Sequence, residues 1–341
     1  MKQVCFGQCH TRKCLVAVLL LVGSSLFGQQ SPSGNGEGNA PAVAPTSPSA
    51  PAVNYNQVAV LRWYAANLAT NFVVGRGPGA VAFDGTNIWV SHSSSDNVTK
   101  LQPSDGTVLG TFAAGPSPNG MAFDGANMWI ANGSGSSVTK LRASDGSILG
   151  TFPVGFSPYA VAFDGANIWV VNLGSNNVTK LRASDGKVLG TFPVGFSPQG
   201  IAFDGVNIWV ANTGDSTVTE LRASNGKLLG TFVAGTGPVA AAFDGANIWI
   251  ANQGSNNVTK LRASDGSVLG TFAVGSLPQA VVFDGANIWV TNFSSNTVTK
   301  LRASDGALLG TFGVGKFPAG AAFDGVNVWV ANLGGNTVSK R

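Results

Sequence analysis

The chain has 341 residues, 44% apolar and only 11% charged, against roughly 25% charged in an ordinary soluble domain. That balance excludes a charge-rich disordered protein, and 46 glycines argue against long helices. Much of the net charge of +4 sits at the N-terminus, so a basic nucleic-acid-binding surface is excluded as well.

In chain order, Lys2, Arg12 and Lys13 precede an apolar stretch from Cys14 to Phe27, with the small residue Gly28 at its end. Residues 1–28 therefore read as a secretory signal, with an uncleaved N-terminal anchor as the alternative. Cleavage would remove three of the 20 basic groups and leave the rest nearly balanced by the 16 acids. It would also remove Cys5, Cys9 and Cys14, the only cysteines, so the stability of the mature chain must come from packing. No Cys follows the apolar stretch at a lipid-attachment position. The expected location is secreted, periplasmic or cell-surface, with no integral membrane span after cleavage. Residues 29–54 are dominated by Ser, Pro, Gly and Ala, with one charge, Glu37, the composition of a disordered tether.

From residue 55 to residue 341 the sequence repeats. Phe-Asp-Gly begins at Phe83, Phe123, Phe163, Phe203, Phe243, Phe283 and Phe323, a spacing of 40 without insertion or deletion. A Trp follows six positions after each Phe, at Trp89, Trp129, Trp169, Trp209, Trp249, Trp289 and Trp329. In the copy at 157–195, four β-rich runs are bounded by Asp-Gly at 164–165 and 185–186 and by Gly-x-x-Pro at 155–158. Gly tolerates the positive φ of tight reversals. Four short strands per unit of about 40 residues is the pattern of a propeller blade. The predicted fold is all-β, a seven-bladed β-propeller of four-stranded blades. Strands of about five residues are too short for an outer-membrane barrel, which needs about nine to eleven.

Alternation places a row of indoles on one blade face and a row of aliphatics on the other. The positions Ala80, Gly120, Ala160, Gly200, Ala240, Ala280 and Gly320 are always small, and a Trp filling the space over a neighbour's small residue is the expected blade contact. Residues 61–75 align with 301–315, so the two ends of the chain are expected to complete one blade between them. Gln57–Arg62 and Thr337–Arg341 both qualify as its third strand.

The unit VGxxPxAVAFDGANIWVANxxSNNVTKLRASDGxxLGTF resembles the YVTN family of β-propeller repeats and, more distantly, NHL repeats. Residues 289–292 read Trp-Val-Thr-Asn, that family's name motif with Trp for Tyr. The resemblance covers residues 55–341 and implies a propeller. Its wider superfamily spans surface-layer and binding proteins, lactonases of the SMP-30 type and virginiamycin B lyase-like enzymes, and fold does not fix function.

An enzyme built on a near-perfect repeat must reveal itself where the repeat breaks. Twelve of the 16 acids belong to Phe-Asp-Gly or Ser-Asp-Gly turns; Glu37, Asp96, Asp215 and Glu220 remain. SMP-30 lactonases are expected to hold a divalent cation with Glu, Asp and Asn at the channel mouth. No Glu stands near a first strand here, so no metal and no cofactor is expected. Glu220 replaces the Lys of the third strand and is expected on a solvated face, as are Lys180 and Arg182. Asn-x-Ser/Thr at Asn97, Asn177 and Asn257 matters only in a host that glycosylates such sites.

Asn132, Asn172, Asn212, Asn252, Asn292 and Asn332 end the second strand, a place suited to side chain to backbone hydrogen bonding. His92 takes the seventh position. It is the one catalytic candidate, as a general base, against a simple drift of the repeat. The repeat breaks most in the loops entering the first strand and joining the second to the third, which share one face. Arg76, His92, Asp96 and Lys316 are expected to form a polar cluster there, and Phe156, Tyr159 and Phe196 an aromatic one, with Asp215, Gln253, Phe293 and Phe317 nearby. Cations beside aromatics suit a protein, peptide or glycan ligand. The chain thus reads as a monomeric exported binding or scaffold module. The alternatives are a metal-dependent lactonase or lyase and a structural surface protein.

Overall fold

Each repeat folds because its turn residues dictate where the chain reverses. Asp164 Oδ1 accepts the backbone N–H groups of Ala166 and Asn167 at 2.9 and 2.6 Å, and Gly165 adopts φ +95°, so the hairpin is set locally. The carboxylate's second oxygen accepts Trp169 Nε1–H at 2.8 Å. One Asp thus fixes both the turn and the indole of the following strand. The same Asp–Trp bond recurs in every copy, from Asp84–Trp89 to Asp324–Trp329.

The structure, a computed structural model, describes residues 70–341. They form seven antiparallel four-stranded sheets. The third copy is representative, with strands Pro158–Phe163, Asn167–Asn172, Asn177–Arg182 and Val188–Pro193 running from the axis outward. First strands of successive blades abut, and Pro318–Phe323 abuts Pro78–Phe83, so the ring closes as a seven-bladed propeller. Its closing blade is shared by the two ends. Thr337–Lys340 pairs with Val328–Asn332 on one side and with Thr70–Val73 on the other. The C-terminal segment therefore supplies the third strand and the N-terminal segment the outermost. The predicted signal, the tether and Gln57–Arg62 lie outside the described residues. Among the described residues no helix is long and apolar enough to cross a membrane.

Blades bury both faces against their neighbours. Trp129, Ala131 and Val138 of the second blade form one cluster with Val161, Ile168, Val170 and Leu181 of the third. The indoles thus meet the next blade's aliphatic row. Each also lies against the Phe of its own outermost strand, as in Trp169–Phe192 with centroids 5.5 Å apart.

The small residues have another role than the expected one. A Cβ on Gly200 would lie 2.6 Å from the Ala240 backbone, and one on Gly320 2.6 Å from Gly79 O. They let first strands approach around the axis, while the indoles cluster with the next blade's aliphatics and not with its small residue.

The third-strand lysines also depart from expectation. Lys100, Lys140, Lys180 and Lys260 are buried rather than solvated. Lys180 Nζ donates to Ala223 O of the next blade at 2.6 Å and lies 5.1 Å from the Trp169 ring centroid. Arg182 does face solvent, paired with Asp185 at 3.1 Å.

Candidate functional site: the axial mouth

The first strand carries an irregularity that decides what faces the axis. In the third blade Pro158 pairs with Asn172 and Ala160 with Val171, so residue 159 has no partner on the second strand. Such a bulge re-aims the extra side chain. The same shift recurs at the start of each first strand. The residues concerned are Gly79, Asn119, Tyr159, Gln199, Val239, Gln279 and Ala319, and all seven line one axial cavity of about 330 Å3. Ser93, Phe293 and Leu333 add a rim.

No acidic or basic side chain lines this cavity. Burial raises the Tyr159 phenol above its ordinary pKa, so it stays a neutral hydrogen-bonding group at physiological pH. Neither its hydroxyl nor the amides of Gln199 and Gln279 have a hydrogen-bond partner among the described residues. Asn119 Nδ2 reaches Pro158 O only at 3.5 Å. The mouth is an uncharged ring of unengaged donors and acceptors with apolar neighbours Val239, Phe293 and Leu333.

Of the residues expected on this face, Tyr159 and Phe293 line the cavity. His92 is not on the face at all; it is fully buried. Its Nε2 pairs with Thr99 Oγ1 at 2.8 Å, as Asn172 Nδ2 donates to Thr179 Oγ1 at 2.9 Å, so the imidazole fills an asparagine's place. Burial lowers its pKa to about 4, and it is neutral at physiological pH. The asparagines tie the second strand to the third, and Asn132 and Asn292 also hold the incoming loop, their Oδ1 atoms accepting Gly115 and Gly275 N–H at 3.0 Å.

The expected polar cluster does not assemble. Asp96 Oδ1 accepts Ser117 N–H of the next blade at 2.8 Å, a place held elsewhere by Asn176 and Asn256. Asp215 Oδ2 likewise accepts Phe196 N–H at 2.6 Å, where other blades use Ser175 or Ser255. Both acids are loop acceptors. Arg76 borders a shallow depression with Ser93, Ser94 and Asn336. Neither it nor Lys316 forms an ion pair with any described residue.

The expected aromatic group is also dispersed. Phe156 and Phe196 are 72% and 66% exposed and share no ring contact, whereas Phe317 stacks on Phe293 at 5.0 Å. Glu220 corrects the reading of a solvated face, being 8% exposed. Burial first, and the Asp204 charge second, raise its carboxyl above the usual range. Among the described residues no three His, Cys, Asp or Glu side chains cluster as metal ligands.

Sequence reasoning missed Asn119, Gln199, Val239 and Gln279. The signal was present, because the second residue of the first strand is the position where an otherwise strict repeat keeps changing type. A search confined to acids, His and Cys passes over neutral amides.

Comparison with known proteins defines the fold class. The structure is similar to virginiamycin B lyase from Staphylococcus aureus, with a TM-score of 0.69 at 16% identity over 80% of this chain and 98% of that one. A streptogramin B lyase matches with a TM-score of 0.69 at 18% identity, over 80% and 96%. Kuenenia stuttgartiensis hydrazine synthase matches with 0.68 at 18%, over 78% and 95%. The chain therefore has a virginiamycin B lyase-like propeller fold. No protein-family model matches it, and no curated protein matches it by sequence.

Proposed function

We propose that this protein is an exported binding module that takes a neutral hydrogen-bonding ligand, a glycan or peptide segment, at the axial mouth. Export rests on the basic and apolar pattern of residues 1–28. The binding reading rests on one observation: the bulge position turns Tyr159, Gln199 and Gln279, without intramolecular partners, into one uncharged cavity. Free amides and a phenol beside apolar walls recognise hydroxyl and amide groups. They offer no counter-charge to an ionised ligand.

A lyase reading is favoured by the likeness in shape to two streptogramin-type lyases. Acid–base chemistry needs a group that titrates near the working pH. The one titratable side chain on the cavity is Tyr159, and its pKa is raised.

Glycan and peptide arrays screened with the protein, followed by calorimetry on the hits, test the proposal. Gln199→Ala with Gln279→Ala should weaken binding at least tenfold, since each lost hydrogen bond is worth about 1 kcal/mol, and Phe156→Ala should leave it unchanged. Turnover of streptogramin B, followed by chromatography and abolished in Tyr159→Phe, would overturn the binding reading in favour of the lyase.

A further inference from the structure

At five blade seams a third-strand lysine links one blade to the next, and at four of them it is buried. Lys100, Lys140, Lys180 and Lys260 donate to Ala143 O, Ala183 O, Ala223 O and Ala303 O of the following blade, all at 2.6 to 2.7 Å. Three of them also reach the next carbonyl, Ser184 O, Ser224 O or Ser304 O. Lys340 makes the same link across the closure, to Pro103 O at 2.7 Å. The ammonium also lies close to the Phe-Asp-Gly carboxylate, as in Lys100 Nζ at 4.0 Å from Asp84 Oδ2. Each such seam is a cradle of carbonyl oxygens around one positive charge, with the turn carboxylate within 4.0 Å at Lys100.

The fourth blade keeps the cradle and inverts the charge. Glu220 pairs with Trp209 and Gly230 as Lys180 pairs with Trp169 and Gly190. Its side chain therefore starts from the place where the ammonium chain starts elsewhere. Ala263 O and Ser264 O receive no lysine, and no other described donor replaces it. Glu220 is more than nine-tenths buried. One of its oxygens accepts Asn207 Nδ2–H at 2.7 Å, and no described donor reaches the other.

Asn207 itself has turned. Its counterparts Asn127, Asn167, Asn247 and Asn287 donate to the turn carboxylate, while Asn207 donates to Glu220. That leaves Asn207 Oδ1 closed off from solvent with no partner. The seam thus combines two neighbouring carboxylates, two unserved carbonyls and one orphaned amide oxygen.

We propose that the seam between the fourth and fifth blades binds a divalent cation, Ca2+, through Glu220, Asp204, Ala263 O and Ser264 O. The amide of Asn207 turns its oxygen inward, which returns its NH2 to Asp204 as in the other blades. An all-oxygen set mixing carboxylates and carbonyls suits a hard cation with flexible coordination of six to eight ligands, waters included. A divalent ion balances both carboxylates. Mg2+ demands tighter octahedral geometry, and a monovalent ion leaves one negative charge buried.

Trp209 supplies the readout, because its indole donates to Asp204 Oδ2 at 2.7 Å and is placed to sensitise a lanthanide in the seam. Full-chain protein stripped with a chelator is titrated with Tb3+ under indole excitation. Saturable emission displaced by Ca2+ is expected, together with a rise in Tm of roughly 5 °C at a hundredfold excess of Ca2+ over its Kd. Glu220→Lys should abolish the emission and make Tm independent of Ca2+ at or above the chelated wild-type value, since it restores the link found in five other seams. Glu220→Gln should abolish the emission without that gain. Absence of saturable emission, emission unchanged in both variants, or equal displacement by Na+ would each overturn the proposal.

Discussion

His92 shows how one side chain can break the repeat and keep its geometry. Burial without a charge partner holds its pKa at about 4 against 6.5 in the unfolded chain. Because the folded value is depressed, the neutral ring's stabilisation is fully present above pH 6.5. It is lost as the pH falls toward 4, by roughly 3 kcal/mol in all. Glu220 runs the other way, since its raised pKa weakens the fold as the pH rises above 4.5, but it cancels between two variants that share it. His92→Asn should therefore lose about that much acid sensitivity relative to wild type. Urea midpoints at about pH 7 and about pH 4 measure it, and an unchanged difference would mean that the imidazole takes up a proton in place. The role of His92 was legible in the sequence only as a substitution within a series of asparagines. Its enclosure was not, because position in a repeat says nothing of what the incoming loop lays over it.

At the scale of the strand, the decisive group is the third-strand lysine. Lys180→Met keeps the hydrocarbon over Trp169 but leaves Ala223 O without its charged donor, a loss of about 2 kcal/mol. Arg182→Met removes only a half-exposed pair with Asp185 and should change stability by under about 1 kcal/mol. Equal effects of the two changes in urea unfolding would refute the buried link. Strand boundaries were readable because Asp164 and Gly165 make their turn from local chemistry. Burial of Lys180 was not, because period-two alternation separates two faces without showing that a blade covers both. Tyr159 illustrates a further limit: its aim at the axis depends on a register shift between Pro158 and Ala160, which residue spacing does not record.

At the scale of the whole molecule, the ring depends on one seam between distant parts of the chain. Phe72 pairs with Val338 and stacks on Trp329 at 5.5 Å, the same contact that Phe112 makes with Trp89 at 5.5 Å within the first blade. Ser339 Oγ–H donates to Asn71 Oδ1 at 2.5 Å, adding a polar tie. The alignment of residues 61–75 with 301–315 made this shared blade legible. It left two candidates for the third strand, and Thr337–Lys340 takes that place in the structure. The two phenylalanines are locally equivalent but topologically different. Each truncation to Ala removes a similar half-buried ring, costing roughly 2–3 kcal/mol. Phe112→Ala weakens a blade whose four strands are continuous in sequence, so it should lower Tm and leave a monomeric ring. Phe72→Ala weakens the pairing that holds the ends together, and an opened ring exposes the edge of Thr337–Lys340 to another chain. It should therefore give concentration-dependent oligomers and early protease cleavage before residue 74, at temperatures where Phe112→Ala is intact. Light scattering and limited proteolysis on the pair decide the matter: indistinguishable behaviour would mean that closure rests on the backbone ladder and not on the stacked ring.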